Sequence, residues 1–349
     1  MNITFFIGNG FDLAQGLPTR YEDFYKYLET HEDELAKNPY LRKLFEEKIK
    51  HDYKHWSDLE YALGRCTEDY GTENSELFWK IKSELDSALI RYFQSVEQDH
   101  QLPVDEIMAS EFIRQIRDIY QDFDGPEQEH FQKIIAQSNQ WQYRFVTLNY
   151  TGYLDRFLET AKALEQKKKG NFQWEFGASP CDFTLPDKAL HVHGTVGNDM
   201  ILGVNGPEQI EGTNLFVTDV VPCMVKQEMN KELKLGRTEK TEALIEESQY
   251  VCLFGVSLGE TDMRWWEKIM QWLLQDKNRR LVIYKRWPKE GPFSGPGYTA
   301  YQKNTEECLD QFLKVSNANQ SYKSTIRERC IVVIGSGIFK FDKDQKVPV

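Results

Sequence analysis

Residues 8–12 of this chain, Gly8-Asn9-Gly10-Phe11-Asp12, follow an apolar run and combine two glycines with an acid. Gly8 and Gly10 let a backbone turn tightly at the carboxyl end of a strand, where open α/β sheets hold ligands. An acid just behind such a turn has three uses: Asp12 would bond a sugar hydroxyl, stabilise a developing cation, or brace the loop. A tight surface turn without a ligand is the plain alternative. Three later stretches offer related chemistry. In "TLNYT", Asn149 and Thr151 follow an apolar run; Thr151 has the position of an N-cap for the next helix, and Asn149 suits a turn. In "LHVHG", His191 and His193 are two apart, so a strand would place both on one face. Four readings compete: one or both are satisfied core histidines, they are paired metal ligands, one is a general base at the strand's end, or Gly194 merely relieves crowding. "FGVSLGETD" ends another apolar run with Gly255, Ser257, Leu258 and Gly259. There Ser257 and Glu260 have capping-box spacing, and a helix starting near Thr261 would suit an anion such as a pyrophosphate.

Several chemistries are disfavoured. The dinucleotide fingerprint of hydride-transfer dehydrogenases needs a third glycine where Leu13 stands. It also needs an acid at a second strand's end, whereas Glu29 falls inside an amphipathic helix. "HDYKH" at 51–55 mimics a zinc HExxH motif but has Asp52 for Glu and Lys54 beside the second His, so two polar residues on a helix face explain it better. "TRYE" (Thr19 to Glu22) and "WSDLE" (Trp56 to Glu60) have the spacing of helix starts, with Ser57 capping toward Glu60. The cysteines at 66, 181, 223, 252, 308 and 330 form no CxxC pair, as expected of reduced thiols in a cytoplasmic protein. No metal is therefore expected. A net charge of −12 argues against a dedicated nucleic-acid surface. The longest apolar run, "VCLFGVSL", is far short of the ~20 residues of a membrane span, and no basic leader precedes the first strand.

The elements that must position these residues follow from hydrophobic pattern. Strand-like runs recur at "ITFFIG", "YRFVTLN", "ALHVHGTV", "YVCLFGVS", "RRLVIYKR" and "CIVVIGSG", apolar on both faces as in buried parallel strands. Helical patterns separate several of them, including Leu154, Phe157, Leu158, Ala161 and Leu164, and then Trp265, Trp266, Ile269, Met270 and Leu273. In the first of these, Lys167 to Lys169 close the helix and Gly170 stops it. This alternation predicts an α/β fold with a Rossmann-like, doubly wound, mostly parallel sheet. From Tyr21 to Gln140 only amphipathic helices are legible, a run far longer than the dozen or so residues a crossover needs. The expected division is a core of 1–20 plus 141–349 and a helical insertion or cap of 21–140. "RWPKEGPFSGPGY" reads as a surface loop.

The ordered set "GNGFDLAQGLPTRYEDF", "WSDLE", "TLNYT", "HVHGTV" with "ILGVN", and "FGVSLGETDMRWW" resembles the AbiH family of bacterial phage abortive-infection proteins over nearly the whole chain. That family is distantly similar to the sirtuin-like superfamily, whose members use NAD. The resemblance implies a sirtuin-like core in which Gly8, Asn9, Gly10 and Phe11 hold the dinucleotide. Asn149 would contact ribose, His193 would be the base, and Gly255, Ser257 and Leu258 would meet the adenosine half. Thr151 and Gly194 flank these and fall in the same cofactor-binding set. Sirtuin deacylases carry a four-Cys zinc module and a first loop with Ala and Ser where this chain has Asn9 and Asp12. The scattered cysteines supply no such module, so the resemblance favours NAD glycohydrolysis over deacylation.

On that expectation NAD is the substrate, and His193, Asn149 and Asp12 are the catalytic residues. The leaving nicotinamide is neutral and needs no general acid. A different class of function is a nucleotide-binding sensor or assembly module of a defence system, without turnover. The resemblance leaves open a homo-oligomer and a phage-derived or host activator as partners, and no membrane is expected.

Overall fold

Every residue from Ile3 to Ile7 is fully buried. Ile3, Phe5 and Ile7 join one apolar cluster and Phe6 joins another on the opposite face, while Thr4 hydrogen-bonds Ser248 at 2.6 Å. A strand buried on both faces is the centre of a parallel sheet with helices on either side. The computed structural model shows this arrangement. It describes residues 1–65, 67, 69, 75–100, 103–137, 140–167, 174–176, 179–212 and 214–341.

The strands are β1 (Asn2–Ile7), β2 (Gln140–Thr147), β3 (Trp174–Phe176), β4 (Ser179–Thr184), β5 (Leu190–His191), β6 (Tyr250–Phe254), β7 (Arg280–Lys285) and β8 (Cys330–Ile334). Their order is β3-β4-β2-β1-β6-β7-β8, with β5 also beside β2. All pairings are parallel except β3 with β4. Between β1 and β2 the described elements are all helical, among them Tyr21–Thr30, Leu59–Arg65, Ser75–Asp99 and Glu106–Arg117. In Ser75–Asp99 the buried residues Phe78, Ile81, Leu85, Leu89, Tyr92 and Val96 recur at helical spacing. They share one continuous apolar cluster with Phe5 and Ile7 of the sheet. The other face is covered by helices Met263–Gln275 and Tyr298–Val315, through Trp266, Ile269, Leu273 and Phe312.

Register brings the strand ends level. Ile7 stands opposite both Thr147 and Phe254, and Thr147 opposite His191. Gly8, Leu148, Gly255 and Val192 therefore leave the sheet along one edge. The chain passes from β1 to β2 on one side, while β6, β7 and β8 continue on the other. The direction of strand addition thus reverses at β1, which opens a crevice outside the carboxyl ends of β1 and β6.

Three expectations change. "ALHVHGTV" is not one long strand: β5 has two residues, and Val192 and His193 already lie in a turn. His191 and His193 consequently do not share a strand face. Strands β3 and β4 were not legible in the hydrophobic pattern. "HDYKH" spans two separate turns, Ile49–His51 and His55–Ser57, and not one helix. Cys66 and the residues Lys168 to Gly170 lie outside the described residues. No described helix is long and apolar enough to cross a membrane.

Candidate functional site

The two glycine turns are built against each other. Gly8 N donates to Phe254 O at 2.8 Å and Gly10 N to Gly255 O at 2.9 Å. A Cβ on Gly10 would lie 2.4 Å from Gly255 Cα, and one on Gly8 would lie 2.6 Å from Gly255 O. Gly255 itself has φ +68°. These glycines are thus required by backbone contact between turns. Asn9 fastens the passage that follows: its Nδ2 donates to Thr19 O at 2.9 Å, and the Thr19 hydroxyl donates to its Oδ1. Thr19 is therefore not a helix cap. That box lies one residue later, where Arg20 N donates to Asp23 Oδ2 at 3.1 Å. Phe11 points into the core against Phe157 and Phe339.

Asp12 is 1% exposed. Its Oδ1 accepts from Asn149 Nδ2 at 3.0 Å and its Oδ2 from the Thr151 hydroxyl at 2.6 Å. Burial raises its pKa to about 7, against the opposing pull of those two hydrogen bonds. The helix Tyr153–Lys167 begins two residues beyond Thr151, so Thr151 does not hold the expected N-cap position, and its hydroxyl donates to Asp12 instead. Asn149, 6% exposed, keeps its Oδ1 buried with no hydrogen-bond partner among the described residues. Asp12 thus ties the β1 turn to the end of β2 and fixes the Asn149 amide.

The two histidines have different surroundings. His191 is held between Asn149 O and Asp155 Oδ2, both at 3.2 Å. His193, 3% exposed, has Nε2 3.0 Å from Asp262 Oδ1, while its Nδ1 is buried without a partner among the described residues. Gly194 has φ +73°, and a Cβ there would lie 2.1 Å from Asp199 O, so it serves the turn. Asp262 belongs to the "GETD" stretch, where the expected Ser257–Glu260 capping box does not form: Gly259 precedes the short helical turn Glu260–Asp262. Burial pushes the Asp262 carboxyl up, but Lys226 and His193 more than offset this and hold it well below its usual range.

Further acids come from the helical segment. In "WSDLE" it is Asp58, not Ser57, whose carboxylate accepts from Tyr61 N at 3.1 Å at the helix start. Burial and the neighbouring Glu60 raise Asp58 to about 6. Glu60 is buried and accepts from the Tyr150 hydroxyl and Gly203 N, both at 3.1 Å. Asp262, Glu60 and Tyr150 lie inside motifs that were legible, yet their helix-start spacing concealed their use. Lys226 had no local signal.

Two cavities open along the crevice. One, of about 460 Å³, is lined by Gly8, Asp12, Asn149, Thr151 and His193 with the acids Glu22, Asp58, Glu60 and Asp262. The other, of about 530 Å³, is lined by Gly10 and Leu258 with the bases Lys285, Arg286 and Lys340 and the acid Glu307. Asn9, Arg20, Gly255, Val256 and Ser257 line both. Phe11 and Gly194 line neither. Among the described residues, no group of three or more His, Cys, Asp or Glu is placed to hold a metal ion.

A mostly parallel sheet covered by helices on both faces, with polar side chains converging from several strand ends on the crevice at its reversal point, defines an α/β protein, and such a crevice is where open α/β sheets hold ligands. Residues 4–284 match the model of the family described as bacteriophage abortive infection AbiH, and the chain belongs to that family. Membership supports a function in phage abortive infection. Comparison with curated proteins and with solved structures gives no match.

Proposed function

We propose that the chain acts in abortive infection by hydrolysing the nicotinamide–ribose bond of NAD. The observation that carries this reading is the division of charge along the crevice. Among the described residues, the His193 side is lined by five acids, Asp12, Glu22, Asp58, Glu60 and Asp262, against Arg20 and His193, with Lys226 behind two of the acids. The β6–β7 side is lined by Arg20, Lys285, Arg286 and Lys340 against Glu307. NAD has the same polarity: a cationic nicotinamide riboside at one end and a pyrophosphate toward the other. Gly255, Ser257 and Leu258 then border the adenosine half.

In this reading the acidic side favours the oxocarbenium-like ribose that develops as the bond breaks. The C–N electron pair goes to the nicotinamide nitrogen, which leaves neutral. The ionised Asp262 only accepts, so it holds the proton on His193 Nε2 and leaves the lone pair on Nδ1. His193 Nδ1 and Asn149 Oδ1 are two buried acceptors without partners among the described residues, and both side chains line the same cavity. Together they hold a water by its two hydrogens, with its oxygen directed to the anomeric carbon. As the C–O bond forms, His193 Nδ1 takes one proton. Asp12 acts as a positioning residue through Asn149. Loss of NAD halts the infected cell, which accounts for the biology.

The test is hydrolysis in water enriched in oxygen-18. The expected products are free nicotinamide and ADP-ribose carrying one heavy oxygen at the anomeric position. Tight binding of NAD with no products would instead support a binding module.

A further inference from the structure

We propose that Lys226 and Glu60 are positioning residues that set the proton affinity of His193 through one shared oxygen, Oδ1 of Asp262. This rests on the reading of His193 as the base. The same Asp262 Oδ1 lies 3.0 Å from His193 Nε2 and 3.0 Å from Lys226 Nζ. The Lys226 ammonium spends its other two protons on Glu60 Oε2 at 2.9 Å and Thr261 O at 3.2 Å. All three donors of a buried ammonium are thus satisfied, and it has no remaining group with which to bind a ligand.

The consequence is electrostatic. Asp262 draws positive charge onto the imidazole, and Lys226, on the same oxygen, opposes that draw. Glu60 in turn neutralises Lys226. Among the described residues, the other titratable groups lining the cavity beside the imidazole are Asp12 from the β1 turn, Tyr150 after β2, and Arg20, Tyr21, Glu22 and Asp58 from the β1–β2 connection, with His191 two residues before His193 in the chain. None of these shares the Asp262 oxygen. Glu60 lies in the helix Leu59–Arg65, between β1 and β2, and Lys226 lies beyond β5, so the Glu60–Lys226 ion pair links the helical segment to the base.

Two substitutions displace His193 in opposite directions. Lys226→Met removes the opposing cation, so the imidazole holds its proton to higher pH. Glu60→Gln strips Lys226 of its neutralising partner, so the imidazole gives up its proton at lower pH. Each shift should be about one pH unit. The double variant restores the local charge and returns the midpoint toward the wild-type position. It also guards against a single variant that does not fold.

The experiment is a histidine NMR titration of the full chain, with the His193 resonance identified by its absence in His193→Gln. Alongside it, the acid limb of kcat/KM for nicotinamide release is measured over the same pH range. Opposite displacements in the two single variants and recovery in the double variant are expected. Unmoved midpoints, or two that move the same way, would overturn the proposal. The titration needs no turnover: if wild type released no nicotinamide the functional reading would fail, while the titration would still decide the role of Lys226 and Glu60.

Discussion

Asp12 carries its charge between two donors and no solvent, and burial raises its pKa from 3.8 to about 7. The sign of the linkage follows. A carboxyl raised on folding costs nothing below its unfolded pKa and penalises the folded state increasingly up to its folded pKa. Asp12→Asn removes that penalty while still able to engage Asn149 and Thr151. The melting temperature of the variant relative to wild type should therefore rise between pH 4 and pH 7 and level off above. A relative melting temperature that falls across that range would show an Asp12 that prefers to be ionised. At Asn149 and His193 the bare acceptors are catalytic in this account. His193→Gln should lower kcat for nicotinamide release by about 10²–10⁴-fold with NAD binding largely kept, as measured by calorimetry.

Among the elements, the turns after β1 and β6 behave as one unit. Gly255→Ala would place a Cβ at φ +68°, 2.6 Å from Gly10 Cα, and should destabilise by about 1–3 kcal/mol or more in urea unfolding. Gly197→Ala, with nothing within 4 Å, should change stability by less than about 0.5 kcal/mol. The glycines were visible in the sequence; their reason was not, since it lies in a backbone contact between residues 8–10 and 255. Local spacing misled in the same way elsewhere. Thr19, Thr151 and Ser57 have the spacing of caps, but Asn9 and Asp12 capture the two threonines and Asp58 takes the place of Ser57. The strands β1, β2, β6, β7 and β8 were legible because each is a dense apolar run. The apolar pattern runs past the end of β5 because Val192 is buried although the strand has ended.

For the whole molecule, the informative property is that charges from distant segments sort along one crevice. Glu60, Lys226 and Asp262 meet although the first pair is 166 residues apart in the chain. No pattern within one element announces such a cluster, which is why Lys226 escaped the sequence while His193 and Asn149 did not. The basic half makes its own prediction. The Arg286 guanidinium donates to Gly10 O at 2.9 Å and lines the cavity assigned to the pyrophosphate and adenosine. Arg286→Gln should raise KM for NAD about tenfold, the loss of one charge-assisted hydrogen bond, and leave KM for nicotinamide mononucleotide nearly unchanged.

The central claim is that this crevice cleaves NAD with His193 and Asn149. Its most direct test is chromatographic measurement of free nicotinamide from NAD, using purified wild type beside folded His193→Gln and Asn149→Ala proteins. The account predicts release by wild type and its loss in both variants. Release undiminished in His193→Gln, or NAD bound by wild type without any nicotinamide formed, would contradict it.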